Sequence, residues 1–205
     1  MKYKGFIVAV SSPSGGGKTS ICRAVVKRQK RAVLSVSATT RPRGPGEREG
    51  VDYFFVSEET FRRKIEEGEF AEWAEVHGYL YGTLSSTVRD VIQRGGILVL
   101  DIDVEGAKQI RAAFPDCVGI FLVPPSLRVL EERLRARRRD TDQEIAHRLR
   151  RVPREMAEIA RYDYVVVNDL LDRAVDEVDA IFTAEGCRRE RLELQWGDGG
   201  DPLQR

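Results

Sequence analysis

Cysteine is scarce in this 205-residue chain: Cys22, Cys117 and Cys187 stand far apart and no C-x-x-C pair occurs. That spacing excludes a disulfide framework and gives no basis for thiolate metal or redox chemistry; it suits reduced thiols in the cytosol. An excess of one charge is also missing. Lys and Arg number 34 against 33 Asp and Glu, for a net charge of +1, so there is no basic field of the kind nucleic-acid binders carry. Long apolar runs are absent too. The first one, Phe6-Ile7-Val8-Ala9-Val10, follows lysines at 2 and 4 but is too short for a signal-peptide core or a membrane span, which points to a cytoplasmic protein without membrane attachment. There is no internal repeat. Histidine occurs twice, at His77 and His147, outside every motif, and neither is assigned a role. Function must therefore come from local sites.

One such site stands directly after the first apolar run. Ser11-Ser12-Pro13-Ser14-Gly15-Gly16-Gly17-Lys18-Thr19 opens a segment with helical spacing at Ile21, Ala24, Val25 and Arg28. Three consecutive glycines let backbone N–H groups turn inward where a Cβ would clash, and the following helix adds the positive end of its dipole. This is a phosphate cradle, with Lys18 placed for the β and γ phosphates and the Thr19 hydroxyl for Mg²⁺. The first glycine of G-x-x-x-x-G-K-[ST] is replaced by Ser12.

Periodicity organises the rest. Residues 32–36, 97–102, 117–123 and 164–167 read as strands, with helices around Leu127 to Leu134 and Leu171 to Phe182. Ile97 to Ile102 is almost continuously apolar, as expected of a strand buried on both faces, and it ends with Asp101 and Asp103. Strands alternating with helices predict an α/β fold with a parallel sheet and ligands beyond its carboxyl ends. Between the second strand and residue 97 lies a polar loop, 38–50, followed by a strand at Tyr53 to Val56, a short helix through Phe61 and Ile65 closed by Gly68, and a strand from Phe70 to Val76. These form an inserted lobe. A helix with Leu84, Val88, Val91 and Ile92 on one face, stopped by Gly95-Gly96, leads back to the main sheet. Pro153 interrupts the helical pattern Ile145, Leu149, Val152, Met156, Ile159 and predicts a kink. From Gly186 onward the chain is charged and Gly-rich, with Trp196 as its one large anchor, and reads as a loosely held tail.

Further blocks complete a collinear pattern from about residue 5 to 185: Val-Ser-Ala-Thr-Thr-Arg at 36–41, Pro-Gly-Glu at 45–47, Asp-Tyr-Phe-Phe-Val at 52–56, Glu-Phe-Ala-Glu-Trp-Ala at 69–74, Tyr-Gly-Thr at 81–83, Leu-Asp-Ile-Asp at 100–103 and Val-Asn-Asp at 167–169. With the phosphate loop, these blocks resemble the guanylate kinase family, which phosphorylates GMP with ATP. The resemblance implies a P-loop nucleoside monophosphate kinase fold in one domain: a core of 1–36 and 97–185, a GMP-binding lobe of about 37–96, a lid of about 133–150, and a tail of 186–205.

It also implies the site. ATP would be held by Ser14, Gly15, Gly16, Gly17, Lys18, Thr19 and Asn168, with Mg²⁺ at Thr19 and Asp101. Lys18, Arg137 and Arg148 would neutralise charge on the transferred group. Ser37, Arg41, Arg43, Tyr53 and Tyr81 would take the GMP phosphate, while Glu72, Thr83 and Asp103 would read guanine; dGMP is expected as a second acceptor. The chemistry agrees, because an ionised Glu accepts from both N1–H and the 2-amino group of guanine, donors that adenine does not offer in that arrangement. Two departures stand out. Gly44 occupies the place of the family's second phosphate arginine, with Arg43 one residue early, and Arg138 replaces a lid glycine. The other arginines between 133 and 139 are expected to be solvated. The intact Gly17-Lys18-Thr19 argues against a catalytically silent interaction module, Glu72 and Thr83 argue against a sugar acceptor, and the absence of N-K-x-D argues against a GTPase.

Overall fold

The computed structural model describes residues 2–76, 78–136 and 141–193. The core is a five-stranded parallel sheet in the order β10-β9-β2-β8-β3, where β2 is Phe6–Ser11, β3 Ala32–Leu34, β8 Ile97–Asp101, β9 Val118–Val123 and β10 Tyr164–Val167. Every residue of β2 is buried, because helices cover both of its faces. Alternate side chains go to opposite sides: Phe6, Val8 and Val10 join α1 (Lys18–Arg28) and α7 (Leu171–Gly186), while Ile7 and Ala9 join α3 (Ser85–Gln93) and α4 (Val104–Ala113). Each fully buried Leu or Ile in these layers, such as Leu98 or Ile120, stabilises the fold by about 1.5–3 kcal/mol.

The inserted lobe has a second sheet, β5-β4-β7-β6, formed by β4 (Ala38–Thr39), β5 (Phe54–Phe55), β6 (Phe70–Val76) and β7 (Tyr79–Leu84). Its small core is Ala38, Phe61 and Leu80, with Phe61 and Phe70 stacked at 4.3 Å. The helix α2 (Glu58–Glu66) starts where Ser57 Oγ accepts from Thr60 N–H at 3.1 Å and ends before Gly68, whose φ of +67° no β-carbon favours. Two further helices, α5 (Leu127–Ala136) and α6 (Asp142–Ala157), flank the phosphate loop, and α6 begins in a capping box made by Thr141 and Glu144.

Two expectations need correction, on α3 and on the tail. The helix α3, grouped with the lobe by sequence, buries Val88 and Val91 against Ile7, Ala9 and Leu98 of the core. The helix α6 carries Pro153 within it, as the pattern implied, and passes into a 3-10 turn at Glu158–Arg161. The start of the tail is anchored. There β11 (Leu192–Glu193) pairs with β1 (Lys2–Tyr3), and Arg191, 6% exposed, donates to Glu185 at 2.6 Å while its guanidinium covers the Phe6 ring. Trp196 lies outside the described residues.

Candidate active site

The phosphate loop links β2 to α1 at the carboxyl edge of the sheet. Gly15 and Gly17 have φ of +91° and +90°, and at Gly16 a Cβ would come within 2.5 Å of Ser12 Oγ, so all three glycines are required by the backbone. No side chain caps α1, which leaves the N–H groups of its first turn to an anion. Lys18 Nζ reaches back to Ser12 Oγ at 3.4 Å, and Thr19 Oγ1 donates to Asp101 Oδ2 at 2.5 Å, across the ends of β2 and β8. From α6, Arg148 Nη1 donates to Ser14 Oγ at 2.8 Å, which places one lid arginine on the loop. Arg137 and Arg138 lie outside the described residues.

In the lobe, two groups of expected residues converge. The first is Arg41, Tyr53 and Tyr81. The Arg41 guanidinium stands 5.4 Å from the Tyr53 ring, whose edge meets Tyr81 at 5.9 Å. Burial, aided by the Asp101 charge, pushes the Tyr53 phenol up to about 12, so it remains an O–H donor. Ser37 precedes β4, half-buried, its carbonyl accepting from Phe54 N–H at 2.9 Å.

The second group is Glu72, Thr83 and Asp103. Glu72 and Thr83 face each other across β6 and β7 and are 4% and 0% exposed. Asp103 caps α4, accepting from Gly106 N–H at 2.9 Å. A Cβ at Gly106 would lie 2.5 Å from Glu72 Oε2 and 3.4 Å from Asp103 Oδ1, so this helix turn forms the wall between the two carboxylates. Burial raises Glu72 to about 7; the nearby Thr83 hydroxyl offsets part of that rise and the Asp103 charge adds to it. The Thr83 hydroxyl is buried and makes no hydrogen bond of ordinary geometry within the described residues. A buried hydroxyl without a hydrogen-bond partner, beside a buried carboxylate, marks a place for a polar ligand.

Other expected residues are placed differently. Asn168 donates its amide to Gly16 O at 2.7 Å from behind the phosphate loop, and a Cβ on Gly17 would come within 2.5 Å of that amide nitrogen. Arg43 Nε donates to the Glu47 carbonyl oxygen. Sequence reasoning gave Glu47 no role, yet its carboxylate takes Arg41 Nη2 at 2.7 and 2.9 Å and the Gly44 N–H at 2.7 Å. This contact is the main reason that Arg41 is held more firmly charged than usual. Gly44 is thereby accounted for, since a Cβ there would sit 3.1 Å from Glu47 Oε2. Arg133, expected to be solvated, is half-buried; Nη2 donates to Asn168 O at 2.9 Å, and Nη1 is buried without a partner among the described residues. The signal was present in its spacing, because Arg133 lies on the same helix face as the buried Leu130.

Comparison with known proteins bears on the same residues. The family model described as guanylate kinase matches residues 4–185. A guanylate kinase of Syntrophotalea carbinolica is 48% identical over 197 residues, covering 96% of this chain and 94% of that protein. One from Symbiobacterium thermophilum is 46% identical, covering 93% and 90%. The crystal structure of guanylate kinase from Anaplasma phagocytophilum superposes with a TM-score of 0.79 at 34% identity, over 93% of this chain and 90% of that one.

Proposed function

The chain belongs to the guanylate kinase family, and from that premise we infer how its loop, lobe and lid divide the work of the reaction. It is an ATP-dependent transferase with the P-loop kinase fold that converts GMP to GDP. The single observation that carries our reading is the buried Glu72 carboxylate beside Asp103 and the buried Thr83 hydroxyl, which has no hydrogen-bond partner among the described residues.

In this reading the guanine N1–H and 2-amino group donate to the Glu72 carboxylate, and Thr83 and Asp103 complete the polar wall. AMP would leave Glu72 buried and unpaired, and a site of that kind rejects the wrong base by roughly 10⁴-fold or more. The GMP phosphate docks against Arg41, Tyr53, Tyr81 and Ser37; Glu47 holds the Arg41 fork in place. Arg43 lies beside this corner as a further cation for the same phosphate. The same base contacts would serve dGMP.

On the opposite side, the loop and first helical turn at residues 14–19 hold the ATP phosphates, with the N–H groups of Gly15, Gly17, Lys18 and Thr19 available to them; Lys18 spans the β and γ groups, and Arg137 and Arg148 close over them. Asn168 contributes by fixing the loop backbone at Gly16. Thr19 Oγ1 and Asp101 Oδ2 are hard oxygen donors at the sheet edge that would hold Mg²⁺. When bound, the ion supplies neutralisation of charge on the β and γ oxygens. No general base is needed: the protein aligns the GMP phosphate oxygen with the γ phosphorus and keeps water out. Three free thiols, two of them buried, suit a reducing cytoplasm.

Lys18→Ala tests the assignment. Turnover should fall by about 10²-fold or more while GMP affinity, measured calorimetrically, is kept. Equal turnover in the two proteins contradicts it.

A further inference from the structure

Glu72 stands on β6, the edge strand of the lobe sheet, while Asp103 belongs to the core; guanine recognition therefore depends on how β6 is held against α4. An edge strand leaves a row of backbone N–H and C=O groups without a neighbouring strand. At Trp73, the residue after Glu72, both groups are taken by one side chain. Gln109 Oε1 accepts from Trp73 N–H at 3.1 Å, and Gln109 Nε2 donates to Trp73 C=O at 2.6 Å. A primary amide carries the donor and acceptor of a peptide group, so Gln109 acts as a one-residue substitute for a missing strand.

Its position along α4 gives this contact a purpose. The N-cap Asp103, Gly106 and Gln109 follow one another at i, i+3 and i+6, in one row slanting across the helix. The first is the core carboxylate of the guanine site, and the second presents bare backbone against Glu72 Oε2, where a Cβ would come within 2.5 Å. The third grips the backbone next to Glu72. Apolar packing alone would let β6 slide along α4, because dispersion contacts are non-directional, whereas two opposed hydrogen bonds fix its register.

We propose that Gln109 is a positioning residue for base specificity, clamping β6 so that Glu72 faces guanine at the depth Asp103 requires. The inference rests on the reading of Glu72 as the guanine acceptor. Gln109 is exposed on the helix surface and touches neither nucleotide in that reading, so it acts only through Glu72.

The test compares wild type, Gln109→Met, Gln109→Ala and Glu72→Gln in steady-state assays with GMP and with inosine monophosphate, which keeps N1–H but lacks the 2-amino group. Gln109→Met preserves length and volume and removes both hydrogen bonds; Gln109→Ala keeps none of the side chain. Both should raise KM for GMP about tenfold, change kcat less than about twofold, leave KM for ATP unaltered and narrow the GMP-to-inosine ratio of kcat/KM. A merely structural contact would lower the melting temperature and leave that ratio unmoved. If Glu72→Gln collapses the ratio and both Gln109 variants keep it, the clamp is overturned while the guanine site stands. If Glu72→Gln itself leaves KM and the ratio unchanged, the reading beneath the inference is wrong and the clamp falls with it.

Discussion

In the proposed reading Glu72 is under two opposed demands: it must be ionised to accept two guanine donors, yet burial raises it to about 7 from an ordinary 4.5. The sign of the consequence follows from linkage. Since the folded protein binds this proton more tightly than the unfolded chain, ligand-free stability declines as pH rises from about 4.5 to about 7, by up to about 3 kcal/mol. Binding works the other way, because guanine donors favour the carboxylate form. GMP affinity should fall as pH drops below about 7, with a proton released on binding near neutrality, and Glu72→Gln should leave only the part due to the GMP phosphate, whose second pKa is about 6; calorimetry in buffers of different ionisation enthalpy reads the difference directly. A flat affinity between pH 5.5 and 8 would contradict this role. Glu72, Thr83 and Asp103 were legible only through the family resemblance of the blocks at 69–74, 81–83 and 100–103, since a lone Glu on a strand reads as solvent-facing. The roles of Glu47 and Asn168 were not. One is a carboxylate six residues from the arginine it holds, and the other reaches the loop across the fold from 152 residues away.

At the scale of elements, the buried core strands were readable because continuous apolar runs have one reading in an alternating chain, and β6 and β10 lie where alternation places them. Several elements were missed, among them the two-residue strands Lys2–Tyr3, Ala38–Thr39 and Leu192–Glu193 and two longer elements. Tyr79–Leu84 was read as a motif instead of a strand, although Leu80 and Gly82 alternate inward, and the helix Val104–Ala113 escaped notice because Gly106 and two polar residues interrupt its apolar face. Pro153 was read as lying inside a helix, and it does. A proline removes one intrahelical bond, and α6 carries that loss because its capping box and the packing of Ile145 and Val152 fix it on either side. The segment after Gly186 was under-read, since the Arg191 and Glu185 pair that anchors it forms only in three dimensions. Removing one member of a buried ion pair costs about 3–5 kcal/mol. Arg191→Ala should therefore lower the melting temperature by roughly 6 °C or more and leave kcat at 25 °C near wild type, as calorimetry and a turnover assay would show. An unchanged melting temperature would mean that the anchor contributes nothing.

Across the whole molecule, both proposed nucleotide sites lie at the carboxyl edge of one parallel sheet. The phosphate loop leaves β2, Asp101 and Asp103 leave β8, Asn168 follows β10, and the inserted lobe brings Glu72 and Arg41 over the same edge. Only the topology joins donor and acceptor sites separated by tens of residues, and it does so with a core that makes few demands on either. The central claim is that this arrangement transfers phosphate to a guanine nucleotide selected by the buried carboxylate. The most direct measurement is ADP formation from ATP and Mg²⁺ with GMP, AMP, UMP or CMP as acceptor, using Lys18→Ala as the control. The account predicts turnover with GMP exceeding that with any other of these acceptors by roughly 10⁴-fold in kcat/KM, and its loss in the control. Comparable turnover with AMP, or none with GMP despite binding, would contradict it.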